Sequence, residues 1–252
     1  MAAASSFYDD RPLVIAHRGA SDVAPENTLA AFQAAIDASA DGIELDVTRC
    51  ATGEIVVIHD DTLDRTTNGA GRVDGLPFFG LRELDAGAWF GAQFAGQRIP
   101  TLGEVLDLAG RRVRVNIEIK GRNVRGDGLE EEVAEQVRAR GLQGSVILSS
   151  FNPAALVRAK RAASDLQRAL LYAPDLPVYL AHAWALPLVR PEALHPKYTM
   201  VDSRYVHWAH GHGYRVNVWT VDDPDHMARM IELGVDGIIT NHPARLRELL
   251  PL

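Results

Sequence analysis

The sequence predicts a (β/α)8 barrel with an insertion after the second strand. Two observations carry this reading. Short apolar, β-branched runs alternate with helical patterns, the mark of parallel strands joined by helical crossovers. Eight such alternations fill a chain of 252 residues, the usual size of this barrel. An open, doubly wound sheet is the alternative arrangement of the same elements.

In chain order the strands are expected at 13–17, 42–47, 114–120, 145–150, 168–172, 193–195, 215–221 and 236–240. The run at 193–195 is the weakest of them. Helical patterns fall at 27–39, 101–109, 127–140, 153–163, 177–185, 203–212, 223–233 and 243–250. Asn27 reads as the N-cap of the first helix, and Thr101 with Glu104 reads as a capping box. One region breaks the alternation. After GIELDV, the stretch EIVVIHD reads as a returning strand, and a run rich in glycine and aromatics follows, with no helical period of barrel length. Residues 49–100 are therefore read as an insertion on the second βα loop, within a single catalytic domain spanning 1–252. Such loops form the active-site face of a barrel, where long insertions line or cover the pocket.

Composition narrows the function. Asp+Glu number 33 against 26 Lys+Arg, a net charge of −7. With no basic run, this argues against general nucleic-acid binding and leaves a small anionic substrate open. The single cysteine, Cys50, permits no intrachain disulfide and points to a reducing, cytoplasmic setting. The N-terminus lacks the charged and apolar regions of a signal peptide. No apolar run is long enough to span a bilayer, so stable membrane insertion is not expected.

The candidate chemistry sits at strand ends. Residues i and i+2 of a strand share a face, so Glu44 and Asp46 point the same way, and Glu118 and Lys120 do so with Asn116 behind them. Three inward carboxylates are costly to bury unless paired or bound to metal. An all-oxygen ligand set favours Mg2+ or Ca2+ over zinc. Outward-facing, solvated strand ends are the alternative. His17 and His59 also end strands, and imidazole suits proton transfer in both directions. Arg18 and Lys120 are cations able to grip a phosphate. Together these residues suggest phosphate-ester chemistry.

The motifs AHRGAS…APENTLAAF, GIELDV, VVIHDDTLDRTTNG, IPTLGEVL, NIEIK, VILSSF, VNVWTV and DGIITNHP occur in order over most of residues 13–243. This combination resembles the glycerophosphodiester phosphodiesterase family. The resemblance implies a metal-dependent barrel enzyme that cleaves glycerophosphodiesters to sn-glycerol 3-phosphate and an alcohol, with one divalent cation, Mg2+ or Ca2+. By position it implies His17 and His59 as the acid–base pair, and Glu44, Asp46 and Glu118 as metal ligands. It implies Arg18 and Lys120 as phosphate contacts, and Trp219 as a residue lining the pocket near the organic moiety; ordinary barrel packing is the other reading of Trp219. His17 is favoured as base and His59 as acid, with a bell-shaped pH–rate profile expected.

Other polar residues read more plainly. His207, His210 and His212 lack the partners of a metal site, and His182, His226 and His242 read as surface or capping residues. His195 is placed near the mouth, where it could touch substrate. Asp61 or Asp64 could order the insertion through turn hydrogen bonds. GLEEEVAEQVRARG reads as a solvated helix face with Glu–Arg pairs a turn apart. Glu26 either holds the His17 ring or favours a helix N-terminus. Two further functions stay open. One is a lysophospholipase D using Phe78, Phe79, Trp89, Phe90 and Phe94 as an acyl groove; the other is a non-catalytic phosphodiester binder.

Overall fold

The computed structural model describes residues 7–120, 125–177, 181 and 183–250. Nine strands form one sheet: β1 (Leu13–Ala16), β2 (Gly42–Arg49), β3 (Ile55–Val57), β4 (Arg114–Ile119), β5 (Val146–Ser150), β6 (Gln167–Tyr172), β7 (Ala193–Pro196), β8 (Arg215–Val218) and β9 (Gly237–Thr240). All but β3 run parallel, and β1 pairs with both β2 and β9, which closes eight strands into a barrel. This excludes the open sheet. The weak run at 193–195 is a barrel strand, held between β6 and β8 by the parallel ladders on either side.

Side-chain alternation divides the core in two. One set of strand residues, including Val14, Ala16, Ile43, Leu45 and Ile117, faces the helices and joins the larger buried cluster. The other set, Leu13, Ile15, Ile147, Ala169, Ala193 and Ile239, fills the barrel interior. Phe7 and Tyr8 join that interior cluster from the segment preceding β1.

Helices occupy Leu29–Asp37, Leu102–Ala109, Leu129–Ala139, Pro153–Ala162, Leu186–Val189, Ser203–Gly211, Pro224–Glu232 and Pro243–Leu249. Of the pattern expected at 177–185, residues 178–180 and 182, His182 among them, lie outside the described residues; the described helix here is Leu186–Val189. The capping box forms as expected, with Thr101 accepting from Glu104 N and Glu104 accepting from Thr101 N. The first helix differs. Its N-cap is Thr28, whose extended backbone (φ −110°, ψ 160°) lets its hydroxyl accept from Ala31 N. Asn27 stands at φ 56°, outside the extended region an N-cap uses, and its side chain is spent on Asp46 instead.

The helix at Leu129–Ala139 also corrects a reading. Glu130 is buried and pairs with Arg158 of the next helix at 2.7 Å, while Glu132 pairs with Arg49 at 2.6 Å. The charges tie neighbouring elements together rather than running along one solvated face.

Between β2 and the helix at Leu102–Ala109, β3 folds back antiparallel on β2, pairing Val47 with Val57. A short helix, Phe78–Glu83, follows. Cys50, Val56, Ile58, Leu63, Val73, Leu81, Ala86 and Ile99 give this region its own small core. Arg82 fixes it to the barrel through Glu104, at 2.9 Å to each carboxylate oxygen. Among the described residues, no helix is long and apolar enough to cross a membrane.

Candidate active site

The first strand ends at Ala16 and delivers His17 to the barrel mouth. There the backbone turns abruptly: Arg18 has φ 57° and Gly19 has φ 87°. A Cβ on Gly19 would stand 2.6 Å from the Ala31 backbone, so no side chain fits. The His17 Nδ1 lies 2.8 Å from Asn241 Oδ1. Asn241 donates its own amide to Asp222 at 2.7 Å, so its oxygen is the acceptor and the proton sits on Nδ1. That leaves Nε2 unprotonated, 4.0 Å from Glu44 Oε2. Burial, reinforced by the charge of Arg18, pushes the His17 pKa down to about 4, so the ring is neutral near pH 7.

Register places the carboxylates. Glu44 lies beside Asn116 and Asp46 beside Glu118, so the shared face expected for each pair is also shared between strands. Glu44, Asp46 and Glu118 are buried, and one ligand atom from each lies within 4.8 Å of the others. Burial and the adjacent Asp46 and Glu118 charges raise the Glu44 pKa well above the usual range. Burial also raises Glu118, partly countered by Lys120. At Asp46 burial pushes upward, but Lys120, Arg18 and His59 outweigh it and hold the carboxyl below its usual value. Like charges this close repel, and a divalent cation is the natural means of holding all three ionised. The donor set is all oxygen, and the buried Asn116 Oδ1 beside it has no hydrogen-bond partner. The three residues thus fit a hard divalent ion.

The cations around this triad are unequal. Arg18 donates from its backbone N to Glu44 at 3.0 Å and from its guanidinium to Glu26 at 2.8 Å. Its Nε lies 3.4 Å from Asp46 and has no hydrogen-bond partner. Lys120 is drawn to Asp46 at 2.9 Å and Glu118 at 2.6 Å. It borders a neighbouring cavity of about 430 Å³ rather than the one that His17 and His59 line.

His59 follows β3 and sits across the mouth, its Nδ1 2.6 Å from Asp60 Oδ1. Arg65 donates to the other Asp60 oxygen at 2.6 Å. That hydrogen bond, chiefly, depresses the Asp60 pKa to about 2. His17, Arg18, Glu44, His59 and Glu118 line a cavity of about 180 Å³, closed on one side by Phe151, Leu171 and Trp219. Trp219 lines this cavity, packs edge-on to Phe151 at 5.4 Å, and donates from Nε1 to the His195 carbonyl at 2.7 Å.

Several polar residues land elsewhere than expected. His195 is fully buried in the barrel interior, where its Nε2 lies 2.9 Å from Asn217 Nδ2. It touches no cavity named here, because β7 turns it inward below the mouth. Glu26 neither holds the His17 ring nor caps a helix; it accepts from Arg18 and from both arms of Arg65. Asp64 does order the insertion, accepting from Gly71 N at 3.2 Å. His210 pairs with Asp236, His212 with the Trp208 carbonyl and His242 with Asp22. Among the described residues the acidic triad is the one cluster suited to a metal. The site residues that sequence reading passed over are Asn241, Asp60 and Arg65. Asn241 and Asp60 each adjoin a strand tip or a histidine, which was the available signal.

This gathering sets two histidines and an arginine beside a carboxylate triad at the C-terminal mouth, where barrel enzymes carry their active sites. Comparison with known proteins makes the class specific. Residues 17–245 match the model of the glycerophosphoryl diester phosphodiesterase family. A glycerophosphodiester phosphodiesterase of Caldanaerobacter subterraneus is 45% identical over 243 residues, covering 95% of this chain and 98% of its own. One from Bacillus subtilis is 33% identical over 250 residues, covering 93% and 85%. Among solved structures, an Oleispira antarctica phosphodiesterase in complex with the product sn-glycerol-3-phosphate superposes with a TM-score of 0.84. It is 31% identical, with 98% of this chain and 100% of that one covered. The chain belongs to the glycerophosphoryl diester phosphodiesterase family and is an enzyme of that class. The family uses a divalent metal, and the buried triad here could bind one.

Proposed function

We propose that the chain hydrolyses glycerophosphodiesters to sn-glycerol 3-phosphate and an alcohol, with His17 and His59 as its acid–base pair. The observation that carries this reading is the shared cavity, lined by both histidines and by Glu44 and Glu118, with Asp46 buried beside these two carboxylates. Glu44, Asp46 and Glu118 would hold one divalent cation, Mg2+ or Ca2+, which when bound offsets the diester's charge. Arg18, which lines the cavity, grips the phosphoryl oxygens with its guanidinium. Lys120 stands behind it as a second positive charge, close enough to the ligands to hold Asp46 and Glu118 in place.

His17, neutral with Nε2 bare, removes the proton from the attacking oxygen, either water or the substrate's neighbouring hydroxyl; in the second case a cyclic phosphate forms, which water then opens to glycerol 3-phosphate with the two histidines exchanging roles. As that oxygen bonds to phosphorus, the bond to the departing alcohol breaks. His59 gives its proton to the leaving alkoxide, and Asp60 orients the ring through Nδ1. The residues at 49–100 act here as part of one catalytic barrel, their share being His59. A cytoplasmic setting fits the free, buried Cys50. No observation favours the lysophospholipase D reading. Phe78 packs on the insertion's own core, Phe90 stacks edge-on with Trp89 and Phe94, and none of these rings lines the 180 Å³ cavity.

The test is a His59→Ala enzyme assayed on glycerophosphocholine. A loss of about 10²- to 10⁴-fold in kcat is expected for removal of a general acid. Normal turnover would end this assignment.

A further inference from the structure

His59 and Arg18 reach the cavity from different loops, and their relative placement has to be fixed by something. The β3 strand anchors only the His59 backbone, through Ile58 N donating to Asp46 O at 3.0 Å. The ring is held by a side-chain relay. Arg65 stands at its centre, donating through Nε to Asp60 at 2.6 Å. Its two terminal nitrogens donate to the two oxygens of Glu26 at 2.7 and 2.8 Å. Asp60 then meets His59 at 2.6 Å, and Glu26 accepts from Arg18 at 2.8 Å.

We propose that Arg65 is a positioning residue that couples the proton donor His59 to the phosphate-gripping Arg18, joining the insertion to the first βα loop. The inference rests on the acid role of His59 given above. The planar fork of arginine suits this work, because it fixes two carboxylates in one plane at once, whereas a lysine reaches them only as a point charge. The Arg65 side chain is 46% exposed, and ion pairs at such a surface add little to stability. Its role is therefore geometric, and truncating it should leave the melting temperature within a few degrees of the wild-type value.

Leaving-group dependence separates this role from plain packing. Glycerophosphocholine releases an alkyl alcohol, which needs the proton from His59; the p-nitrophenyl ester of glycerol 3-phosphate releases a phenolate, which does not. Arg65→Met should lose about 10- to 100-fold more kcat on the first substrate than on the second, the range seen when a supporting partner is removed. Glu26→Gln should weaken both substrates alike, through Arg18. Asp60→Asn should reproduce the leaving-group difference, and Arg65→Met combined with Asp60→Asn should lose no more of it than the worse single variant. Arg65→Lys, which keeps the charge and not the fork, should show part of the same loss in a fully folded protein. Equal losses of Arg65→Met on the two substrates would overturn the proposal. So would multiplying losses in the double variant, or normal activity in Arg65→Lys. A wild-type enzyme inactive on both esters would instead remove the functional reading beneath it.

Discussion

The proton on His17 is placed by a residue that the chain delivers 224 positions later. Asn241 follows the last barrel strand and meets His17 only because β9 closes on β1. Glu44 and Asp46 could be read from the sequence, since their shared face follows from a two-residue spacing on one strand. Asn241 could not, because its value depends on barrel closure. If it fixes the tautomer that leaves Nε2 bare, Asn241→Ala should lower kcat by about 10- to 100-fold with KM within about threefold. A change confined to KM would show that Asn241 serves binding instead. The neighbours Asn27 and Thr28 make a matched pair at the same scale. Thr28→Ala should cost about 1 kcal/mol of stability as a lost cap. Asn27→Ala, which removes the 2.9 Å bond to Asp46, should cost activity in addition. Urea unfolding and turnover measured on both variants check this. The cap was misread because two adjacent residues both suit an N-cap by type, and only the backbone angle separates them.

The elements were legible wherever period and caps agreed, as in the Thr101–Glu104 box and the two-residue alternation of β2 and β4. The inside of the barrel was harder to read. A histidine at the end of a short strand gives no sign of its depth, and His195 was placed at the mouth when β7 buries it. Asn217 donates to both Tyr8 Oη and His195 Nε2, so the neutral ring carries its proton on Nδ1. Burial lowers the His195 pKa to about 3, against about 6.5 in an unfolded chain. Between those values the unfolded state binds a proton that the folded state does not, so stability is lost as pH falls from about 6.5 toward 3. Between pH 6.5 and 5 this residue should cost roughly 1.5 kcal/mol. His195→Gln keeps an acceptor for Asn217 and has no such titration. The stability advantage of the wild type over this variant should shrink by that amount across the interval. A pH-independent difference between the two would show that His195 does not titrate on unfolding.

At the scale of the whole molecule, barrel closure turns separated motifs into one site. HRG, GIELDV, HDD and NIEIK lie on four segments, and the closed sheet brings their strand tips to one mouth. The shared face of Glu44 and Asp46, and of Glu118 and Lys120, follows from alternation along one strand. The side-chain relay across the mouth was not foreseeable, because it joins residues on two loops whose paths no local rule dictates. The insertion adds the second histidine to the mouth and keeps its own core. The central claim is that the carboxylate triad and the two histidines act on one glycerophosphodiester with the help of a divalent cation. The most direct measurement is release of glycerol 3-phosphate from glycerophosphocholine by the purified protein, stripped with EDTA and then given Mg2+ or Ca2+. EDTA should abolish turnover, one of these ions should restore it, and Glu44→Gln should lower it sharply even with the ion supplied. Undiminished turnover after EDTA treatment, or none with either ion, would contradict the central claim.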